Sequence, residues 1–373
     1  MDDFVSILNS VKPKNRTSQL KVLAAVYALG GKDKPVSSPA IRELMELHLP
    51  GNDVPANIPD KLRNYSSFVR IADKGPPLQW LLTEAGLREL QDLTGLTLAK
   101  KNKPKFDTDI GFICALEQPE FVALHAALGG EGNWKEIGSP EYAHVYRESS
   151  LITDSSKTLR VVATTSSSMG LTAASIVTTQ LILQFRPRIV VMVGIAAGTK
   201  DGGKQFGDVL IADPSVDYNS GKVVRQNGIR DFQPDPYPIG LNARLRSLLL
   251  RHRGSGLLLK QIRAAWNGKV PVGENRLHVG PLGAADQVID DADRIVEIQR
   301  NWRKLIGIEM ETYGVYRACH EAPEPKPRVV SFKAVCDFAA EKTDSWQAYA
   351  AYVAAEFAVR FLKQDWELLW PET

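Results

Sequence analysis

Arg188-Ile-Val-Val-Met-Val-Gly194 and Asp109-Ile-Gly-Phe-Ile-Cys-Ala-Leu116 are near-continuous apolar runs. A strand with one wetted face alternates apolar with polar residues, whereas an unbroken run is buried on both faces, as in a parallel sheet covered by helices. Leu171 to Phe185, between the two runs, has the length and periodicity of a helix. Asp208–Asp213, Leu305–Ile308 and Val329–Cys336 predict three more buried strands, and Trp346 to Leu362 a closing helix. The predicted fold over residues 107–373 is α/β, a three-layer sandwich with a central mixed sheet.

Upstream the texture changes. Thr17 to Leu29 is periodic and ends at Gly30-Gly31, Ser37-Ser38 before Pro39 starts a helix running to about His48, and Ile58 to Ser66 predicts a third. Phe68–Ile71 and Leu78–Leu82 flank Asp73-Lys-Gly-Pro-Pro77 as a hairpin, and Thr83 to Leu90 begins another helix. This order over residues 1–98 resembles a winged-helix domain, a small α+β unit that serves protein docking as well as DNA reading. Lys100-Lys-Asn-Lys-Pro-Lys105 reads as an exposed linker, within 99–106, because clustered like charges and a proline resist packing.

The composition, 44% hydrophobic and 24% charged over 373 residues, is that of an ordinary globular chain with room for two domains. No apolar run approaches the roughly 20 residues of a membrane span, and the acidic start Met1-Asp2-Asp3 is unlike a signal-peptide head, so the expected location is cytoplasmic. Cys114, Cys319 and Cys336 are too few and too scattered for a disulfide framework or a zinc cluster, and the six histidines show no metal-ligand spacing. No cofactor or metal is expected. The net charge of +3 is concentrated as a basic excess in the first 105 residues, which permits phosphate contact without requiring it.

Four further segments carry chemistry. Cys114-Ala-Leu-Glu-Gln-Pro-Glu120 ends the first strand with two carboxylates; Thr165-Ser-Ser-Ser-Met-Gly170 leads into a small-residue helix; Val193-Gly-Ile-Ala-Ala-Gly198 is a Gly-rich strand end; and Ile308-Glu-Met-Glu-Thr312 is followed by Asp337 in Lys333-Ala-Val-Cys-Asp-Phe-Ala339. Together, in this order, they resemble the purine nucleoside phosphorylase superfamily, and within it the methylthioadenosine/S-adenosylhomocysteine nucleosidases, over about residues 107–363.

The resemblance implies roles. Asp337 would be the general acid that protonates purine N7, Glu311 the carboxylate that grips the ribose diol, and Met310 a soft face against the sugar, with Glu309 beside them. Glu120 would activate the attacking water, with Glu117 as the other candidate, and Ser167 would assist the nucleophile. Gly194, Ala196 and Ala197 would lie beneath base and ribose. In Gly280-Pro-Leu-Gly-Ala-Ala-Asp-Gln-Val-Ile289, Val288 and Ile289 would meet the base, although the family often has an aromatic there. Asp208 reads as a structural anchor.

Phosphorolytic members hold phosphate with an arginine just before the Ser turn, where this chain has Thr164 and Thr165, so water is the expected nucleophile and phosphorolysis the alternative. Tyr218 to Arg276 is longer than compact members need and carries Lys222, Arg225, Arg230, Arg244, Lys269 and Arg276. This insertion suggests a nucleotide such as ATP or AMP as substrate, in a regulated signalling or antiviral effector, against a plain surface-charge reading. The resemblance also implies a homo-oligomer. The N-terminal unit would take an activator protein, a ligand or DNA. A DNA-binding regulator that senses a nucleoside without turnover is the rival from another class.

Overall fold

The computed structural model describes residues 2–32, 34–95, 106–139, 142–200, 203–226, 228–338 and 345–371. The chain divides into two compact units, residues 1–103 and 104–373. The basic run 100–105 that reads as a linker lies outside the described residues.

The first unit contains α1 (Asp2–Asn9), α2 (Ser18–Ala28), β1 (Val36–Ser37), α3 (Ser38–His48), α4 (Ile58–Arg63), β2 (Val69–Asp73), β3 (Gln79–Leu82) and α5 (Glu84–Thr94). Its antiparallel sheet has the order β1-β3-β2. Helix starts follow the capping residues: the side chains of Thr17, Ser37 and Thr83 accept the amides of Leu20, Ala40 and Gly86 at 3.2, 3.3 and 3.1 Å. Leu20, Leu23, Ile41, Met45, Leu62 and Trp80 form the core, and the Trp80 indole N–H donates to Ser38 Oγ at 2.8 Å. Helix α1 was not anticipated from the sequence.

The second unit runs β4 (Thr108–Cys114), α6 (Val122–Ala127), β5 (Lys135–Ile137), β6 (Tyr146–Ile152), β7 (Thr158–Thr165), α7 (Leu171–Phe185), β8 (Pro187–Gly198), β9 (Val209–Asp217), β10 (Gly221–Gln226), β11 (Ile229–Pro234), α8 (Ala243–Ser255), α9 (Leu257–Ala264), β12 (Leu277–Ala284), α10 (Ala292–Asn301), β13 (Gly307–Glu309), α11 (Thr312–His320), β14 (Arg328–Phe338) and α12 (Gln347–Leu369). Nine strands form a mixed sheet in the order β13-β12-β9-β14-β8-β4-β7-β6-β5. Phe112, Val191 and Phe332 point to the side of α8, α9 and α12, while Ile113, Val190 and Met192 pack against α7 and α11. Both faces are covered, which is why these strands carry unbroken apolar runs.

The mixed α/β sheet agrees with the sequence expectation; its closure does not follow from an open sandwich. Short β13 pairs in parallel with β12 and antiparallel with β8, so β8, β14, β9, β12 and β13 curl into a ring. Gly280–Ala284, the first half of the segment expected to meet the base, forms the end of β12. The C-terminal ends of β4, β8, β13 and β14 meet around one space, and open α/β sheets commonly bind ligands at strand ends of this kind.

Candidate active site

A cavity of about 290 Å³ opens there. Its walls come from the ends of β4 (Ala115, Leu116), β8 (Ile195, Ala196, Ala197), β13 (Ile308, Glu309, with Met310 and Glu311 beyond) and β14 (Cys336, Asp337), together with Glu120, Met169, Gln347 and the segment Gln287–Ile289. Seven separate stretches of sequence thus meet around one space. Its size is near the lower end of small-molecule sites.

Asp337 reaches the cavity through a β-bulge. Val335 pairs with Ala196 and Asp337 with Ala197, leaving Cys336 as the extra residue on β14. Regular alternation would send adjacent residues to opposite faces, and the bulge lets Cys336 and Asp337 both line the space. The Cys336 thiol lies 3.5 Å from Asp337 Oδ2 and 3.6 Å from the Ala196 carbonyl oxygen. Burial, then the charge of Asp337, pushes the thiol's pKa up, which keeps it protonated.

The two candidate glutamates of the first segment part company. Glu117 is exposed and pairs with Arg147 at 2.9 Å. Glu120 is buried at the cavity wall and accepts the amides of Ala115 and Leu116 at 2.7 and 3.0 Å on one oxygen and of Ile195 at 2.9 Å on the other. Gly194 does not line the cavity; a Cβ there would lie 2.2 Å from Glu120 Oε1, so its missing side chain is the space the carboxylate occupies.

Glu309 and Glu311 form the floor, with Lys333 buried behind them. Glu309 accepts the Glu311 amide at 3.1 Å and the Thr312 amide at 2.9 and 3.0 Å, binding the first turn of α11, and Lys333 Nζ stands 3.2 Å from its Oε2. Its oxygens are largely engaged by the protein, so Glu309 shapes the wall more than it offers a free acceptor. Glu311 accepts the Gly170 amide at 3.2 Å on Oε1 and has Lys333 Nζ 3.4 Å from Oε2.

Lys333 is the charged residue beside the cavity that the sequence reading passed over. It is fully buried on the central strand β14. Burial by itself would lower its pKa, but the carboxylates of Glu309, Glu120 and Glu311 outweigh that and raise it, so the ammonium stays charged. Burial in turn raises the pKa of Glu120, against the downward pull of Lys333, and the same two opposing effects raise that of Glu309. The signal was a single lysine inside the apolar run Val329–Cys336.

Ser167 is exposed and does not line the cavity, contrary to its expected place beside the nucleophile. The turn instead contributes the Met169 side chain and the Gly170 amide on Glu311. Gly170, at φ +115°, is held against Asp286, whose carboxylate accepts the Leu171 amide at the start of α7. Ile289 is buried in the wall, whereas Val288 is 62% exposed at the rim and offers a narrower surface to a flat base than an aromatic would. Asp208 is fully buried and holds the Gln205 and Arg276 amides and His278 Nε2 at 3.1, 2.8 and 2.8 Å, as an anchor does. Of the basic insertion, Arg244 reaches the Leu368 carbonyl and Lys269 stands over the Trp346 ring, while Arg230 lines a groove beside the cavity. Among the described residues no cluster of His, Cys, Asp and Glu is placed to hold a metal, and no helix is long and apolar enough to cross a membrane.

The cavity thus sets the carboxyl groups of Asp337, Glu120, Glu309 and Glu311 among the apolar side chains of Met169, Ile195, Ile289 and Ile308. The chain belongs to the phosphorylase superfamily, whose model matches residues 109–363. An uncharacterized protein, y4jS of Sinorhizobium fredii, is 30% identical over 83% of this chain and 79% of its own length. The ATP nucleosidase Cap17 of Escherichia coli is 26% identical over 53% of this chain and 40% of its own. Among solved structures, the 5'-methylthioadenosine/S-adenosylhomocysteine nucleosidase of Neisseria meningitidis, in complex with methylthio-immucillin-A, matches with a TM-score of 0.51 at 20% identity, covering 69% of this chain and 99% of that one.

Proposed function

We propose that the cavity hydrolyses the N-glycosidic bond of a purine nucleoside or nucleotide, with Asp337 as general acid, Glu120 as general base and Glu311 as the ribose clamp. N-glycosidic hydrolysis of a purine compound is the activity that the chain's nucleosidase relatives support. The observation that carries the division of roles is the meeting of Asp337, Glu120 and Glu311 on one cavity from three distant segments.

Asp337 donates its proton to N7 as the C1'–N9 bond lengthens, so the base departs neutral and the sugar takes on oxocarbenium character. A water molecule adds its oxygen to C1' and gives its proton to Glu120. Burial supports the role of Glu120: it raises the carboxyl's pKa toward the working range, where a base is most effective. Glu311 has one oxygen near Gly170 and one near Lys333, and a carboxylate's remaining lone pairs suit a vicinal diol. Met310 packs on the sugar, Ile289 and Val288 on the base, and Ala196 and Ala197 leave room beneath it. Glu120, Glu309 and Glu311 set three carboxyl groups against the one ammonium of Lys333, an arrangement that disfavours a phosphate dianion as nucleophile and supports water.

The remaining assignments follow the same reading. The first unit, with its helices ahead of a hairpin, acts as a winged-helix-like regulatory or docking module, and the enzyme works in the cytoplasm as a homo-oligomer within a signalling or antiviral effector. Asp337→Asn tests the central role: it abolishes base release while ligand binding, followed by calorimetry, persists. Unchanged base release in this variant would remove Asp337 from the mechanism.

A further inference from the structure

The hairpin β10–β11 pairs Arg225 directly with Arg230 and Val223 with Phe232. Residues opposite one another in an antiparallel pair share a face, and so do residues two apart along a strand. All four side chains therefore project on one side of the hairpin, while Lys222, Val224, Asp231 and Gln233 take the other. Two like charges directly opposed weaken a hairpin unless something negative lies between or beside them. The Arg225 guanidinium also donates to the Gly228 carbonyl at 3.0 Å, which holds it at the turn.

On this face Val223, Arg230 and Phe232 border a groove of about 470 Å³, completed by Asn219 before the hairpin, Gln287, and Arg294 and Glu297 on α10. Arg294 is oriented by Glu297 at 2.6 Å and by the Asn219 side chain at 3.1 Å. Gln287 lines both this groove and the catalytic cavity, so the two spaces adjoin across one side chain.

We propose that this groove holds the phosphate groups of a nucleotide substrate whose nucleoside part lies in the cavity, an inference that rests on the nucleosidase reading above. Arg230 and Arg294 are the phosphate ligands, two guanidinium groups against the single carboxylate of Glu297, which pairs with Arg294. Guanidinium suits the task because its planar fork can donate two parallel hydrogen bonds to a phosphate. An anion here also relieves the Arg225–Arg230 opposition.

The test is base release from ATP and from adenosine by the full-length protein and by its Arg230→Gln and Arg294→Gln variants. The wild type is expected to favour ATP. Arg230→Gln and Arg294→Gln should each lower kcat/KM for ATP about tenfold or more, the worth of a charge-assisted hydrogen bond, and leave adenosine within about twofold. Parallel losses on both compounds, or a wild type with no preference for ATP, would overturn the subsite. Base from neither compound would count against the hydrolase reading instead; the groove is then judged by calorimetric binding of ATP against adenosine, where unchanged ATP affinity in Arg230→Gln and Arg294→Gln would overturn it.

Discussion

Lys333 Nζ lies 3.2 Å from Glu309 Oε2, and both side chains are buried. The same ammonium stands 3.4 Å from Glu311 and acts on Glu120, so one cation serves three acidic residues. Removing one partner of a buried ion pair leaves the others uncompensated, so Lys333→Met should cost about 3–5 kcal/mol in urea or thermal unfolding. The variant should also show its acidic activity limb at higher pH, because Lys333 holds the pKa of Glu120 down. Lys333→Arg keeps the charge and should recover part of both effects.

Glycine at position 194 is the space that Glu120 fills. Gly194→Ala should displace the carboxylate by an ångström or so and lower kcat roughly 100-fold, the usual order for such a misplacement. A circular dichroism spectrum like that of the wild type would show that the fold survives. Normal activity would mean that the position of Glu120 is immaterial to the reaction.

Glu120→Gln and Glu117→Gln should differ sharply. The first removes a buried acceptor at the cavity and should cost roughly 10²- to 10⁴-fold in kcat, as for other general bases. The second breaks only an exposed pair with Arg147 and should change kcat by less than about twofold. The reverse pattern would transfer the role to Glu117.

The pH dependence follows from the direction of the Glu120 shift. Glu120 must be ionised to take a proton, and burial raises its pKa, so kcat/KM should fall on acidification before the pH reaches the ordinary glutamate value near ~4.3. A profile flat down to that value would contradict the assignment.

The carboxylates were legible because each sits in a compact motif next to an apolar strand, where a short run of residues announces both strand end and acid. Lys333 was not, because its meaning lies in contacts to Glu309, Glu311 and Glu120, which the chain brings together only by pairing β14 with β8. The bulge at Cys336 was equally hidden, since nothing in Val-Cys-Asp marks an unpaired residue. Ser167 shows the converse. A serine-rich turn announces flexibility and hydrogen bonding, but which of its residues faces the cavity depends on where α7 starts, and that start is set by Gly170 against Asp286 and so favours Met169. The short strand β13 closes the ring through three residues, too few to be read as a strand pairing on two sides.

The most direct test of the account is the fate of the sugar. Adenosine and ATP are incubated with the protein in ¹⁸O-labelled water, with and without inorganic phosphate, and the products are resolved by mass spectrometry. Free base together with a sugar bearing one ¹⁸O at its anomeric hydroxyl, in amounts independent of phosphate, is the predicted result; a ribose 1-phosphate product formed only when phosphate is present would contradict it.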